Sequence, residues 1–180
     1  MLFRSIPLTA NELQQDCLAY MQYTGKPVKA SRLFAGNEHE QETKRLAEHF
    51  QKPNDYYKTV KYRFESIEKQ STNYISFAKR NLNDFKNYEE AYHQLISDII
   101  AQQKISTDLV IHNAPVKQLF VDGGFGKNEI YMNLLAKAFP KMEVYAASVA
   151  QATALGAALA IHQDWNTQEL PLNLIELQRY

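Results

Sequence analysis

The stretch that most constrains the fold runs from Val116 to Phe139 and reads VKQLFVDGGFGKNEIYMNLLAKAF. The apolar, β-prone run 118–121 is bounded by turn residues, which predicts a short strand buried on both faces of a sheet. The segment from Asp122 to Gly126 then holds three of the six glycines in the chain. From Asn128 onward apolar residues recur at helical spacing. The stretch therefore predicts a strand, a glycine turn and an amphipathic helix, in that order.

A glycine turn between a strand and a helix is a candidate ligand site. Glycine lets the backbone adopt positive φ and approach a ligand with no Cβ in the way. The free N–H groups at the start of a helix favour an anionic or polar guest. A nucleotide would fit this description, although a double glycine at such a corner also occurs as a plain tight turn.

Two well-known phosphate-binding motifs are rejected at this turn. If the dinucleotide fingerprint G-x-G-x-x-G began at Gly124, its third glycine would stand at position 129, where the chain has Glu129. The Walker motif G-x-x-x-x-G-K-[ST] fails because Val121 replaces its first glycine and Asn128 follows the lysine. A Rossmann-type cofactor enzyme is therefore disfavoured.

The length, charge and cysteine count of the chain limit the classes of protein to which it can belong. Its 180 residues suffice for one domain with a real core, so we predict a single domain over residues 1–180. The 20 basic and 20 acidic residues leave no basic excess for nucleic acid, and no apolar run of about 18 residues predicts a membrane span. Cys17 is the only cysteine and cannot form an internal disulfide. Together with the lack of a signal-peptide pattern, this predicts a cytoplasmic protein.

The sequence before the glycine turn predicts a hairpin and two helices. The hairpin joins strands Cys17–Tyr23 and Val28–Phe34 through a link that contains glycine. The first helix is expected to begin after the N-cap Asn37 and to end near Phe50. The second has the strongest periodicity and spans Asp84–Gln103, with 106–115 as a connection.

The sequence after the glycine turn predicts a second strand and an alanine-rich helix. Met142–Tyr145 is the strand, and Ser148 with Gln151 forms a capping box that opens the helix containing Gly156. We expect a mixed sheet that begins with the hairpin, with 119–121 central, Val144 beside it in parallel, and helices on its faces. His39 and His49 are ten residues apart and lack the spacing of a zinc site, so no metal ligands are predicted.

The ordered set of elements resembles the C-terminal domain of the FGGY carbohydrate kinases, in the sugar kinase and actin-like ATPase superfamily. Residues 123–128, GGFGKN, are similar to that family's adenosine motif GG(G/A)-x-x-(N/S). Residues 152–158, ATALGAA, are similar to its A-T-A-x-G-A-A helix. Residues 31–40, SRLFAGNEHE, look like the rhamnulokinase- or fuculokinase-like branch. The resemblance implies an α/β, ribonuclease-H-like domain whose first strand is missing.

The resemblance also implies a set of ligands and residue roles. ATP would be bound at the glycine turn, with Gly123 and Gly124 near the phosphates and ribose and Asn128 at the adenine. The implied cofactor-binding residues are Gly123, Gly124, Phe125, Gly126 and Asn128. The family usually carries glutamate where Gln151 stands and often glutamine where Asn133 stands, so roles at these two positions do not transfer.

The catalytic base, most sugar contacts and the ligands of Mg²⁺ lie in the family's N-terminal domain, which has no counterpart here. We therefore expect no catalytic residue in this chain and no activity from it alone. Asp122 is expected to accept backbone N–H bonds within the turn rather than to act as a base. The implied partners are an N-terminal kinase domain and a sugar, either a ketose or a polyol. Self-association into a homo-oligomer is also allowed. The alternative is a non-catalytic, actin-like or regulatory nucleotide-binding domain.

Overall fold

The computed structural model describes residues 8–21, 24–63, 75–111, 114–148, 152–170 and 174–180, with only the backbone of 152 and 153. The chain divides into two compact units, Met1–Pro115 and Val116–Tyr180. The described elements of the first unit are α1 (Ala10–Gln14), β1 (Cys17–Met21), β2 (Pro27–Ser31), α2 (Ala35–His49), α3 (Tyr88–Ile111) and 3-10 turns at Tyr56–Thr59, Phe77–Lys79 and Leu82–Asp84. Those of the second unit are β3 (Gln118–Val121), α4 (Gly123–Gly126), α5 (Glu129–Ala138), β4 (Glu143–Ala147), α6 (Ala152–Ala160), α7 (His162–Trp165) and β5 (Leu177–Arg179).

The predicted hairpin is confirmed, although its second strand is shorter than expected. β1 and β2 pair antiparallel, with Cys17 opposite Ser31. Asp16, immediately before β1, has φ of 59° and turns the chain away from the ladder. Because β1 begins at Cys17, residues beyond Ser31 have no partner in β1, and the strand prediction to Phe34 is wrong. The predicted end of the first strand, residues 22–23, lies outside the described residues.

Helix α2 begins three residues earlier than predicted. Its N-cap is Phe34, which makes no side-chain capping bond, so Asn37 is not the cap. Asn37 Oδ1 instead accepts a hydrogen bond from Gln41 Nε2 at 3.3 Å inside the helix. Glu40 pairs with Lys44 at 2.7 Å, one turn further on. The spacing of Asn37 and Glu40 therefore supports i,i+4 pairs rather than a capping box.

Helix α3 is shifted toward the C-terminus relative to the prediction of Asp84–Gln103. It begins at Tyr88 because Asn87 Oδ1 accepts the backbone N–H of Glu90 at 2.9 Å, as an N-cap does. It continues to Ile111, so the prediction of a connection over 106–115 is wrong. Lys104 and Asp108 pair at 2.8 Å along the added turns.

Much of the first unit's core is aromatic. Tyr88 and Tyr92 of α3 are buried, and their rings are stacked 6.1 Å apart. His39 of α2 lies 3.0 Å from the Tyr92 hydroxyl through Nε2, and Tyr57 meets its ring edge-on at 5.0 Å. Burial lowers the pKa of His39 to about 4, so the ring is neutral at physiological pH. These four rings therefore pack within the first unit.

The second unit contains a mixed three-stranded sheet in the order β3-β4-β5. β3 pairs parallel with β4, and Leu119 lies opposite Val144 as predicted. β5 pairs antiparallel with the other side of β4, with Tyr145 opposite Arg179. Because β5 takes that side, β4 is the middle strand. We predicted that residues 119–121 would form the central strand of the sheet. Among the described strands β3 lies at an edge, so this prediction is wrong.

Two further expectations about the sheet are corrected. The described strands form a two-stranded sheet in the first unit and a three-stranded sheet in the second, rather than one sheet that begins with the hairpin. β3 is also not buried on both faces. Phe120 is 57% exposed, and its ring stacks on Tyr145 at 5.4 Å on the open face. The opposite face carries the buried Val144 and Ala146 of β4, and α5 packs against β4. The fold class, a mixed sheet with helices, is confirmed.

Candidate functional site

The candidate site is the turn at the carboxyl end of β3. Gly123 begins a single helical turn, α4, which follows β3 after Asp122 alone. Two residues then separate α4 from α5. Ligands of open α/β sheets bind outside the carboxyl ends of parallel strands, and β3 and β4 are such a pair. The structure therefore brings all five predicted cofactor-binding residues together at an edge suited to a ligand.

Gly123 and Gly124 leave open space beside the backbone. Gly123 has φ of 72°, a conformation that residues with a Cβ rarely adopt. A Cβ built on either glycine would meet no atom within 4 Å. The positive φ is confined to Gly123 among the glycines of the turn. Neither glycine is therefore needed for close packing here, and both could admit a ligand to the main chain.

Gly126 plays a different local role. It is buried, and a Cβ added to it would lie 3.0 Å from the carbonyl oxygen of Val121. Since that atom belongs to the backbone of β3, it cannot move aside cheaply. Gly126 thus allows α4 to fold back tightly against the strand it follows.

Phe125 is held by an aromatic contact that the sequence did not predict. Its ring stacks on Tyr131 of α5, with centroids 4.4 Å apart. Tyr131 is buried, and burial raises its pKa to about 12, so it stays a neutral phenol. Phe125 and Tyr131 are six positions apart, and Gly126 and the N-cap Asn128 lie between them. This spacing matches no sequence pattern that would have predicted the contact.

Asn128 joins the turn to α5 as an N-cap. Its Oδ1 accepts the backbone N–H groups of Ile130 at 3.1 Å and Tyr131 at 3.2 Å. These bonds satisfy two donors that the first turn of a helix otherwise leaves without partners. Asn128 is therefore fixed in position by the fold, whatever further contact it makes.

Asp122 does not behave as predicted. It is the N-cap residue of α4, but its side chain makes no capping hydrogen bond. With φ of −111° and ψ of 173° it continues the extended backbone of β3. Its exposed carboxylate therefore stands beside the open glycines, rather than closing the turn from within.

In the described part of the chain, small residues of the alanine-rich helix α6 face open space. A Cβ on Gly156 would meet no atom within 4 Å, and Ala154 and Ala157 are exposed. Gln151, the second half of the expected capping box, lies outside the described residues. Ser148 joins the end of β4 to the residue before β5, since its Oγ accepts the N–H of Glu176 at 3.2 Å and its N–H donates to the carbonyl of Glu176 at 3.0 Å.

Neither a metal-ligand cluster nor a membrane-spanning helix is present in the described part of the chain. No group of three or more His, Cys, Asp or Glu side chains there could hold a metal ion. No described helix is both long and apolar enough to cross a membrane.

Comparison with known families shows where the chain belongs. Residues 4–169 match the model of the carbohydrate kinase FGGY C-terminal domain, and this covers most of the sequence. The chain therefore belongs to the FGGY carbohydrate kinase family, as its C-terminal domain. A search of curated proteins finds no match.

A solved structure of the same class has a similar fold. The crystal structure of a carbohydrate kinase from Novosphingobium aromaticivorans matches with a TM-score of 0.61 at 17% sequence identity. The match covers 92% of this chain but only 36% of that chain. At this identity the likeness extends to the fold, and this chain spans little more than a third of that kinase.

Proposed function

We propose that this chain is the ATP-binding C-terminal domain, ribonuclease-H-like in fold, of a kinase that phosphorylates a sugar hydroxyl. The observation that carries the proposal is the open backbone at Gly123 and Gly124, directly after a parallel strand, in a chain of the FGGY family. The donor set also fits a nucleotide. The turn offers main-chain atoms without a Cβ in front of them, and Lys127 places an exposed ammonium close by.

The residues of the turn divide into those that would face the ligand and those that hold the turn. Gly123 and Gly124 would approach the ribose and phosphates, and Asn128 would contact the adenine. Gly126 and Phe125 keep α4 against β3 and α5, so that the two open glycines keep their position. Such preorganisation reduces the ordering cost of binding.

The rest of the reaction would be supplied by an N-terminal domain. ATP contributes the phosphoryl group that is transferred. Transfer also requires the nucleophile, Mg²⁺ and the γ-phosphate to be positioned together. We assign the catalytic base, most sugar contacts and the Mg²⁺ ligands to that partner domain, and we do not assign Asp122 as the base. The proposed substrate is a ketose or polyol, in line with the resemblance of residues 31–40 to the rhamnulokinase and fuculokinase branch. The proposed location is the cytoplasm.

ATP binding is tested directly on the isotope-labelled chain by nuclear magnetic resonance. Addition of Mg-ATP should shift the backbone amide signals of Gly123, Gly124 and Gly126, with weak affinity because half of the cleft is absent. The amide of Gly36, an equally open glycine in the first unit, serves as the control and should stay in place. Shifts that avoid the turn would refute the proposed site.

Catalysis is tested by comparing this chain with a two-domain kinase in which the proposed N-terminal domain is joined to it; this kinase is called the two-domain parent. Alone, the chain should give no sugar phosphate from ATP, Mg²⁺ and a panel of ketoses and polyols. Turnover by the chain alone would show that it contains a base. A parent that binds ATP at the turn but phosphorylates no sugar would favour the regulatory alternative.

A further inference from the structure

A pocket of about 300 Å³ lies within the first unit, between the end of β2 and the C-terminal half of α3. Its walls come from residues 31–33 at the end of the hairpin, from residues 102–109 of α3, and from Gln15 directly after α1. This volume is at the small end of the range for ligand pockets, which are mostly apolar and carry a few polar groups that orient the ligand. None of these residues belongs to the glycine turn.

One side of α3 forms a wall of the pocket. Its four residues in the wall are spaced by three or four positions, so they lie along one side of the helix: Gln102, Ile105, Ser106 and Leu109. Earlier in α3, Ile99 is fully buried in the core, whereas Ile105 is 50% exposed. The apolar surface of α3 therefore continues past the core, and the described residues cover it only in part.

The aliphatic part of the wall comes from two sides of the pocket. Ile105 and Leu109 lie one turn apart on α3, and Leu33 follows β2. Leu33 and Leu109 are half-buried. A ligand that covers these three branched side chains removes apolar surface from water, which is favourable roughly in proportion to the area covered. The wall therefore favours a compact aliphatic group.

The polar part of the wall combines a hydroxyl donor with an amide acceptor. Ser106 Oγ, on a largely buried residue, donates to Ser31 Oγ at 2.8 Å, which leaves the Ser31 proton for another acceptor. Gln102 donates from Nε2 to Glu38 Oε2 at 2.6 Å, and Glu38 itself lies outside the wall. Because that bond uses the amide nitrogen, the Gln102 carbonyl oxygen is left to accept a bond. Gln102 and Ser106 are one turn apart, so the two polar groups are neighbours.

The charges at the pocket cancel. Arg32 is the charged residue of the wall, and it is bound to Asp16 through two bonds, Nε–Oδ2 at 2.8 Å and Nη2–Oδ1 at 2.6 Å. A charged ligand would therefore lose hydration without gaining an unpaired counter-charge. The wall favours an uncharged ligand.

We propose that this pocket binds a small uncharged carboxamide with a branched aliphatic body, at a site that is separate from the glycine turn and independent of ATP. A carboxamide carries an acceptor oxygen and two N–H donors on neighbouring atoms. Its oxygen would accept the Ser31 proton, and its N–H would donate to the Gln102 carbonyl oxygen. Its aliphatic body would cover Leu33, Ile105 and Leu109. A carboxylate of the same shape offers only acceptors and would leave the Gln102 oxygen without a bond.

The test is a titration of the full chain with isovaleramide, followed by backbone amide signals in nuclear magnetic resonance spectra. We expect millimolar binding, as for other small ligands, with shifts at Ser31, Gln102 and Ser106. Two molecules of the same shape serve as comparisons: 4-methyl-2-pentanone, in which a methyl group replaces the NH₂ group, and isovalerate, which is the carboxylate. Each should bind at least about threefold more weakly, because the bond to Gln102 is lost. Equal or tighter binding of either comparison molecule, or a titration with isovaleramide that leaves these three signals in place, would overturn the proposal.

Two variants and a control sharpen the test. Ser31→Ala removes the hydroxyl donor and should weaken isovaleramide binding about threefold to tenfold. Ile105→Gln removes part of the aliphatic wall and should weaken it at least about threefold, and this half-exposed position lies outside the core. Asp108→Asn, at an exposed position of the same helix, should have no effect. Unchanged affinity in both pocket variants, with spectra that show a folded chain, would refute the site.

Discussion

The two open glycines of the turn allow ligand binding and fold stability to be separated by mutation. Gly123 has φ of 72°, whereas Gly124 has no positive φ, and neither would place a Cβ within 4 Å of another atom. Gly123→Val forces a branched residue into a sparsely populated conformation, which costs on the order of 1–3 kcal/mol of stability. Gly124→Val carries no such strain, so its effect on the free energy of unfolding should stay below about 1 kcal/mol.

Both substitutions should nevertheless weaken ATP binding, because a valine side chain would occupy the space that the proposal gives to the ribose and phosphates. We expect a loss of at least about tenfold in ATP affinity, equivalent to about 1.4 kcal/mol, with sugar affinity nearly unchanged. Isothermal titration calorimetry on the two-domain parent measures the affinities, and urea denaturation of this chain measures the stability.

The informative variant is Gly124→Val, since it should lose ATP affinity without losing stability. Gly36→Val is the matched control. It also replaces a glycine that faces open space, but in α2 of the first unit, and should leave ATP affinity unchanged. If Gly124→Val binds ATP as tightly as the parent, the turn is only a corner between a strand and a helix.

Three further changes test the surrounding structure. Asn128→Ala should lower the free energy of unfolding by about 1 kcal/mol through loss of the cap, and ATP affinity by about 0.5–1.5 kcal/mol. Asn128→Ser should restore stability alone, and a return of full ATP affinity would exclude an adenine contact by the amide. Gly126→Ala should cost about 1–3 kcal/mol in urea denaturation, because its Cβ would press on the carbonyl of Val121, and an unchanged midpoint would contradict this packing role. Burial lowers the pKa of His39 to about 4 in the fold, against about 6.5 in the unfolded chain. Between these two pH values the unfolded chain binds more protons than the folded chain. The free energy of unfolding should therefore fall, by up to about 3 kcal/mol, as the pH drops from 6.5 to 4. His39→Gln should flatten that pH dependence, and an equally steep profile would assign it to other groups.

The strand, the glycine turn and helix α5 were predictable because each has a local signal. The β-prone run, the three glycines and the helical spacing after Asn128 follow one another without overlap, and local preferences agree with the final fold. The family resemblance rests in part on the same residues, and the match over residues 4–169 confirms the family. The roles of individual residues in the turn were not predictable. Sequence alone cannot show that Gly126 faces a backbone carbonyl while Gly124 faces open space.

The features that sequence reasoning missed depend on distant partners or on competing local patterns. The start of α2 was misplaced because Asn37 and Glu40 have the spacing of a capping box but lie inside the helix. The order of the sheet was missed because β5 is a short polar segment, LQR, that is recognisable as a strand only through its pairing with β4.

The position of β5 also determines when the sheet of the second unit can be completed during synthesis. β4 has its parallel neighbour as soon as residues 118–147 are made, but its antiparallel neighbour is translated about 30 residues later. Until residue 179 has left the ribosome, one side of the middle strand exposes unpaired N–H and C=O groups, which are a template for pairing with another chain. A chain that is released before residue 177 has been added would therefore keep that side of β4 unpaired and open to pairing with another chain.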